Sequence, residues 1–235
     1  MSGITGRGSW RPDVCGRFVS TLSAELLAAS YGIRLPAMVI EPRYNIAPGQ
    51  PVLIVRESSE GRELAPAVWG LIPSWTKDPG IGRKLSNARA ETIDEKPSFR
   101  AAFRHRRCIV PASGFYEWQT ADGKSKQPWY ISAAVDGMPL SMAALWEVWQ
   151  SPDGSEIESC AIITTLANDL MSPIHDRMPV ILPQHSVTAW LNRQSRPDEL
   201  LPLLTPCPTE LLSAHPVSTL VNNPRNTGSE CLTRV

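Results

Sequence analysis

Proline interrupts this chain so often that it leaves little room for long helices. There are 22 prolines in 235 residues. Each one fixes φ and removes a backbone donor, which breaks a helix interior and confines the residue to the edges and bulges of sheets. Short extended runs fill the intervals. Residues 52–56 and 65–69 flank a polar turn at 57–63 and read as a hairpin. Residues 108–110, 115–118, 129–133, 140–146 and 160–164 are further short strands, set apart by turn signals such as Asp122-Gly123, Asp136-Gly137 and Asp153-Gly154. Residues 178–182 and 215–218 complete the set. Helical pattern is sparse. It covers residues 20–31, with Ser20 or Ser23 as cap and Gly32 as terminator, then 98–104, then 186–191 with Ser186 as cap. Residues 43–49 read as an irregular loop, and 77–83 as a mobile one. The sum is an α+β protein: a single domain with a curled, mainly antiparallel, barrel-like β-sheet and a few short helices.

The net charge is zero, so nothing global advertises a polyanionic partner. The distribution is uneven. Residues 83–107 carry eight bases against three acids, and residues 150–210 carry three bases against eight acids. A basic face on a neutral protein suits a nucleic acid lying in one groove, although from charge alone a solvated surface is the favoured account. The five cysteines are odd in number, contain no C-x-x-C and fit neither a zinc set nor a disulfide framework, which points to a reducing compartment. No apolar run approaches the roughly 18 residues of a membrane span. Residues 1–13 are rich in Gly, Ser and Arg and read as a disordered leader without the apolar centre of a secretory signal.

Five residues stand out for chemistry. Glu117 sits in Phe115-Tyr116-Glu117-Trp118, where alternation puts Glu117 with Phe115 on one face and Tyr116 with Trp118 on the other. A carboxylate among aromatics on a buried strand is costly to ionise, so its pKa is expected to rise, as a general acid or base requires; a structural ion pair is the competing account. His175 lies in an irregular polar stretch, where Asp176 or Arg177 can set its tautomer. Asn87 and Arg89 alternate in extended chain and can share a groove. Cys15 is an ordinary thiol unless it becomes N-terminal. It is then a 1,2-aminothiol, with an amine near pKa ~7.8 and a thiol near ~8.5. Such a group condenses with an aldehyde to an imine and closes to a thiazolidine.

The motifs Cys15-Gly16-Arg17-Phe18, Tyr44-Asn45-Ile46-Ala47-Pro48-Gly49, Trp69-Gly70-Leu71-Ile72-Pro73-Ser74-Trp75, Asn87-Ala88-Arg89-Ala90-Glu91-Thr92, Gly114-Phe115-Tyr116-Glu117-Trp118 and Ile174-His175-Asp176-Arg177-Met178-Pro179 occur in that order. Together they resemble the SOS-response-associated peptidase (SRAP) family of abasic-site-processing proteins, over residues 14–228. The resemblance implies a protein that binds single-stranded DNA at abasic sites and crosslinks to the ring-opened sugar through an N-terminal Cys, shielding the lesion. It further implies lyase and self-processing peptidase activity. Cys15 would be the nucleophile, Glu117 the group assisting proton transfers, His175 the acid/base for sugar opening and reversal, and Asn87 a hydrogen-bonding anchor. Arg17, Asn45, Arg89 and Arg177 would meet phosphates, Trp75 would stack on bases, and Pro48 would line the DNA site. No metal or organic cofactor is implied. The expected protein is a cytoplasmic monomer, nucleoid-associated when bound to DNA, with replication-fork proteins as further partners.

One departure bears on the mechanism. In the family the Cys directly follows the initiator Met, whereas here residues 1–13 and Val14 precede it. Val14 as the true start, self-cleavage of the leader, and a copy that binds without crosslinking are the three explanations, the first being preferred. On that view residues 1–13 are absent from or removed in the active protein, and 14–235 form the SRAP-like domain. Two other functions stay open: a cysteine peptidase acting on other proteins, and a non-covalent single-strand binding module. Against the peptidase, Gly16-Arg17 offers no helix N-terminus to lower the thiol pKa.

Overall fold

The computed structural model describes residues 15–35, 38–121 and 125–235. The leader and the Asp122-Gly123 turn lie outside the described residues. The elements in chain order are β1 (Arg17–Ser20), α1 (Ala24–Tyr31), β2 (Arg43–Ile46), β3 (Pro51–Ser58), β4 (Gly61–Trp69), β5 (Asn87–Arg89), α2 (Arg100–His105), β6 (Arg107–Ala112), β7 (Gly114–Ala121), β8 (Ser125–Ala133), β9 (Leu140–Gln150), β10 (Glu156–Leu166), β11 (Arg177–Pro179), α3 (Gln184–Leu191), α4 (Pro197–Leu200) and β12 (Leu212–Pro216).

Five strands close on themselves. The order β10-β4-β3-β6-β9 returns to β10 through an antiparallel ladder from Glu156↔Gln150 to Ile162↔Ala144. The closing contact on the other side is short and parallel, Ser159↔Val68 and Cys160↔Trp69. Closure removes the exposed edges that an open sheet would have to protect. The short strands β5 and β11 then add to the far half of β10, with Thr164 paired to Arg89 on one side and to Pro179 on the other. A second sheet runs β12-β8-β7-β1-β2.

The period of two sorts the core. Ile54, Cys108, Val110, Met142, Ala144, Cys160 and Ile162 share one apolar cluster with Phe18, Phe115 and Ile131 of the second sheet. Their neighbours Val55, Ile109, Ala143, Leu145, Ala161 and Ile163 face the other way, under Tyr31, Phe103, Val187 and Trp190 from the helices. Each fully buried large aliphatic or aromatic side chain contributes about 1.5–3 kcal/mol. The buried indoles are satisfied: Trp69 donates to the carbonyl of Ser86 at 2.9 Å and Trp190 to that of Cys108 at 2.8 Å. The back of the second sheet is covered by the C-terminal segment, where Val217, Val221 and Cys231 pack on Val19 and Tyr116.

Several local expectations shift. The first helix begins at Ala24 with Ser23 as its cap, because residues 17–20 extend to pair with β2 and β7. Gly32 ends it at φ 65. Residues 43–46, expected as loop, form β2 for the same reason. Pro79–Lys84 is a 3₁₀ helix capped by Asp78. Ser186 is buried in the first turn of α3 rather than capping it; Pro183 holds the cap position. All five cysteines are free and buried. Among the described residues no helix is long and apolar enough to cross a membrane.

Candidate active site

Cys15 stands just ahead of β1, with φ 52, the one non-glycine residue at positive φ among those described. Such a backbone costs about 1–3 kcal/mol and persists only where its surroundings hold it. The holding contact is the backbone nitrogen of Cys15, which donates to Oε1 of Glu117 at 2.6 Å. Glu117 reaches it because β7 pairs with β1, Tyr116 opposite Arg17 and Phe115 opposite Phe18. Both residues are sealed from water, Cys15 at 2% and Glu117 at 3% exposure.

Burial drives the electrostatics. It pushes the Glu117 carboxyl above its ordinary range, against the pull of His175 and of the hydrogen bonds from Cys15 and Trp118. It also pushes the Cys15 thiol well up, and the nearby Glu117 carboxylate adds to that rise while Arg177 opposes it. This is the reverse of the electropositive, part-exposed setting that produces a reactive thiolate. Cys15, Glu117, His175 and Arg177 therefore share one electrostatic neighbourhood although they come from three distant segments.

His175 follows a turn in which its amide donates to the carbonyl of Met171 at 2.8 Å. Its Nδ1 accepts the amide of Arg177 at 3.1 Å and lies 2.9 Å from Oδ1 of Asp176. When Nδ1 accepts, the ring is neutral with its proton on Nε2; when the ring is protonated, Nδ1 donates to Asp176 instead. Asn87 and Arg89 lie on β5 opposite Ile162 and Thr164, Asn87 half-buried and Arg89 exposed.

Arg177 is spent on the protein. Its two terminal nitrogens meet the Glu91 carboxylate, each at 2.9 Å, and one also donates to the carbonyl of Thr164 at 2.8 Å. That pairing holds the Glu91 carboxyl below its ordinary range. Arg17 and Asn45 likewise turn inward, towards each other and towards the C-terminal segment. Trp75 is 61% exposed on the loop after β4.

Beside Cys15 opens a groove of about 730 Å³. Gly16, Arg17 and Pro48 form part of its lining, facing Trp118 and Asn222. Arg83 and Lys126 add two more cations, and among the described residues the lining contains no carboxylate. The Arg17 guanidinium lies 6.0 Å from the Trp118 ring centroid. Trp118, Arg83, Lys126 and Asn222 are site residues that sequence reasoning left out. Arg83 was within reach, as the first base of the 83–107 run. That run is divided: Arg107 is buried and donates to the carbonyls of Phe103, Arg104, Trp190 and Asn192 at the ends of α2 and α3, and Arg106 pairs with Glu147 at 2.6 Å. Among the described residues no group of three or more His, Cys, Asp or Glu is placed to hold a metal.

A strand-head cysteine held by a buried carboxyl, with a histidine near by and a cationic, indole-walled groove alongside, defines the class: a single-domain protein whose groove suits an anionic ligand. The comparisons give that class its family. The family model described as SOS response associated peptidase (SRAP) matches residues 14–224, and the chain belongs to that family. It is 42% identical over 222 residues to the abasic site processing protein YoqW of Bacillus subtilis, covering 93% of this chain and 99% of that one. It is 35% identical over 227 residues to abasic site processing protein YedK of Escherichia coli, with 93% and 99% covered. A crystal structure of a protein from Bacteroides thetaiotaomicron superposes with a TM-score of 0.83 at 31% identity, covering 94% of this chain and all of that one.

Proposed function

We infer that this protein processes abasic sites in single-stranded DNA and does so covalently, through Cys15 as an N-terminal residue. The observation that carries the reading is the 2.6 Å contact between the Cys15 nitrogen and Glu117. Once the preceding residues are gone, that nitrogen is an α-amine, and the buried carboxyl touches the nucleophile that attacks first. Glu117 takes the proton that frees the amine. The amine adds to the aldehyde carbon of the opened sugar, and the protonated carboxyl returns its proton to the departing hydroxyl, so water leaves and an imine remains. The Cys15 sulfur then adds to the imine carbon while its proton passes to nitrogen, closing a thiazolidine. A thiol held protonated suits this order, because the amine acts before it. His175, with a proton on Nε2, serves sugar opening and reversal, and Asn87 anchors the reacting centre. The imine also opens the route to β-elimination, the lyase activity.

Where translation begins at Met1, the residues ahead of Cys15 have to be released, which is the self-processing role. The raised thiol pKa and the absence of a helix start at Cys15 weigh against a cysteine peptidase acting on other proteins. The groove supports a single strand, with cations for phosphates and Trp118 for a base, and the exposed Trp75 on the loop after β4 offers a further stacking face. The protein is read as a cytoplasmic monomer, nucleoid-associated on DNA, meeting replication-fork proteins there.

The test is the intact mass of a chain beginning at Cys15, before and after mixing with a single strand bearing one abasic site. The expected product has the mass of protein plus DNA less one water. A leader-free chain that forms no adduct overturns the covalent reading and leaves a non-covalent binding module.

A further inference from the structure

The ladder between β1 and β7 ends at the pair Arg17↔Tyr116, so Cys15 lies beyond the last residue that strand pairing fixes. Another device spans that open end. Asn45 on β2 is 3% exposed. Its Oδ1 accepts from Nη1 of Arg17 at 2.8 Å, and its Nδ2 hydrogens are shared among the carbonyls of Val221, Asn223 and Asn226 at 3.2, 3.1 and 2.8 Å. Arg17 donates to the carbonyls of Val221 at 2.8 Å and Asn222 at 3.5 Å. The Trp118 indole donates to Oδ1 of Asn222 at 2.7 Å. Three neighbouring strands thus converge on one C-terminal strap, residues 221–226, pinned beneath by fully buried Val221 and Cys231.

Arg17 is two residues from the nucleophile and Trp118 is next to Glu117. The strap therefore ties the strand carrying the nucleophile to the strand carrying its carboxyl. The acceptors that meet Arg17 are two strap carbonyls and the Asn45 carboxamide, so among the described residues the guanidinium is fixed without a carboxylate to cancel its charge toward the groove.

We propose that Asn45 is a positioning residue for the reaction at Cys15, acting through Arg17 and the 221–226 strap rather than by touching DNA. The proposal rests on the covalent reading above. Misplacement of a nucleophile by about 1 Å costs on the order of 100-fold in rate, so the effect belongs in the chemical step and not in binding.

The test uses the chain beginning at Cys15, as wild type, Asn45→Ala and Asn222→Ala. Asn222 is exposed, so its removal cuts the Trp118 tie without touching the core. Three quantities are measured: the single-turnover crosslinking rate at saturating abasic strand, the affinity for the same strand without a lesion, and the rate of condensation with glycolaldehyde. Asn45→Ala is expected to lower the saturating rate roughly 10- to 100-fold and the glycolaldehyde rate with it, with lesion-free affinity within about twofold. Asn222→Ala lowers the saturating rate by several-fold. Weaker affinity with an unchanged saturating rate would assign Asn45 to phosphate contact and overturn the proposal, as would three unchanged quantities. Should Asn45→Ala fail to fold, the same split is read from Asn222→Ala. If wild type condenses with glycolaldehyde but not with the abasic strand, the covalent reading fails by itself, and the effect of Asn45→Ala on the glycolaldehyde rate still decides the positioning role.

Discussion

The backbone nitrogen of Cys15 sits 2.6 Å from Oε1 of Glu117, and both residues are buried at the end of one two-strand ladder. Once that nitrogen is an amine, a carboxyl in this position can exchange a proton with it. In a chain beginning at Cys15, Glu117→Gln keeps the shape and an acceptor but moves no proton. Crosslinking at saturating abasic strand is expected to slow by about 100-fold or more, with affinity for lesion-free strand unchanged. Single-turnover kinetics beside a binding titration check it.

The same burial sets a pH dependence of stability. The Glu117 carboxyl titrates above its ordinary value of 4.5 because ionising it without water is unfavourable. The folded state therefore binds more protons than the unfolded one between 4.5 and the raised value. Stability contributed by this group falls as pH rises through that window. Denaturant unfolding of wild type and Glu117→Gln from pH 4 to 8 should show wild type losing stability relative to the variant as pH increases. A constant difference between them would contradict the buried-carboxyl account.

What the sequence made legible and what it hid divide along a physical line. Period-two alternation separated Phe115 from Tyr116 by face, a matter of local geometry alone, and the structure packs them in two different apolar clusters. Ser23 and Gly32 bound α1 because capping chemistry is local too. The curled, barrel-like sheet was legible in the succession of short strands, but the register that closes it was not, since Val68 and Trp69 meet Ser159 and Cys160 across some ninety residues through only two pairs. The same holds for Asn45 and Arg17. Their residue types suit phosphate, and their inward turn depends on carbonyls in residues 221–226, a tail with no hydrophobic period to announce that it packs. The basic run misled in part, because charge counted along a chain does not reveal which side Arg107 faces.

Arg107 and Arg83 should separate fold from groove. Arg107 closes four carbonyls at the ends of α2 and α3, so Arg107→Met leaves buried acceptors unpaired and is expected to cost about 2–4 kcal/mol in denaturant unfolding. Arg83 lines the groove, so Arg83→Ala should hold stability within about 0.5 kcal/mol. It should instead weaken single-strand binding and flatten the log–log salt slope by about 0.7, the value of one lost phosphate contact. Binding titrations at several salt concentrations give the slope.

Trp75 offers its ring to solvent at 61% exposure, yet its loop is tied down: the Ile72 amide donates to Oγ of Ser159 at 2.8 Å and the Trp149 indole to the carbonyl of Thr76 at 2.8 Å. A fixed, exposed indole loses little on stacking with a base. Trp75→Ala should leave unfolding within about 0.5 kcal/mol of wild type and cost about 1–3 kcal/mol in single-strand binding, whatever the base composition. A purely structural role would give the opposite pattern.

Gly70 shows how that loop is built. It has φ 138, and a Cβ there would lie 2.6 Å from the carbonyl oxygen of Gly82, while a Cβ on Gly82 would lie 2.7 Å from that of Gly70. Two backbones meet with no room for a side chain, one leading to Trp75 and the other to Arg83. Gly70→Ala adds strain at a positive φ and a clash with backbone that no rotamer relieves. It is expected to destabilise the fold by about 2 kcal/mol or more. Because the displaced segments carry both Trp75 and the groove cation Arg83, single-strand affinity should fall as well. The reaction of the Cys15 amine with a small aldehyde should not, since Gly70 lies on neither strand that carries Cys15 or Glu117. Unfolding, strand titration and aldehyde condensation on the same preparation separate the three effects.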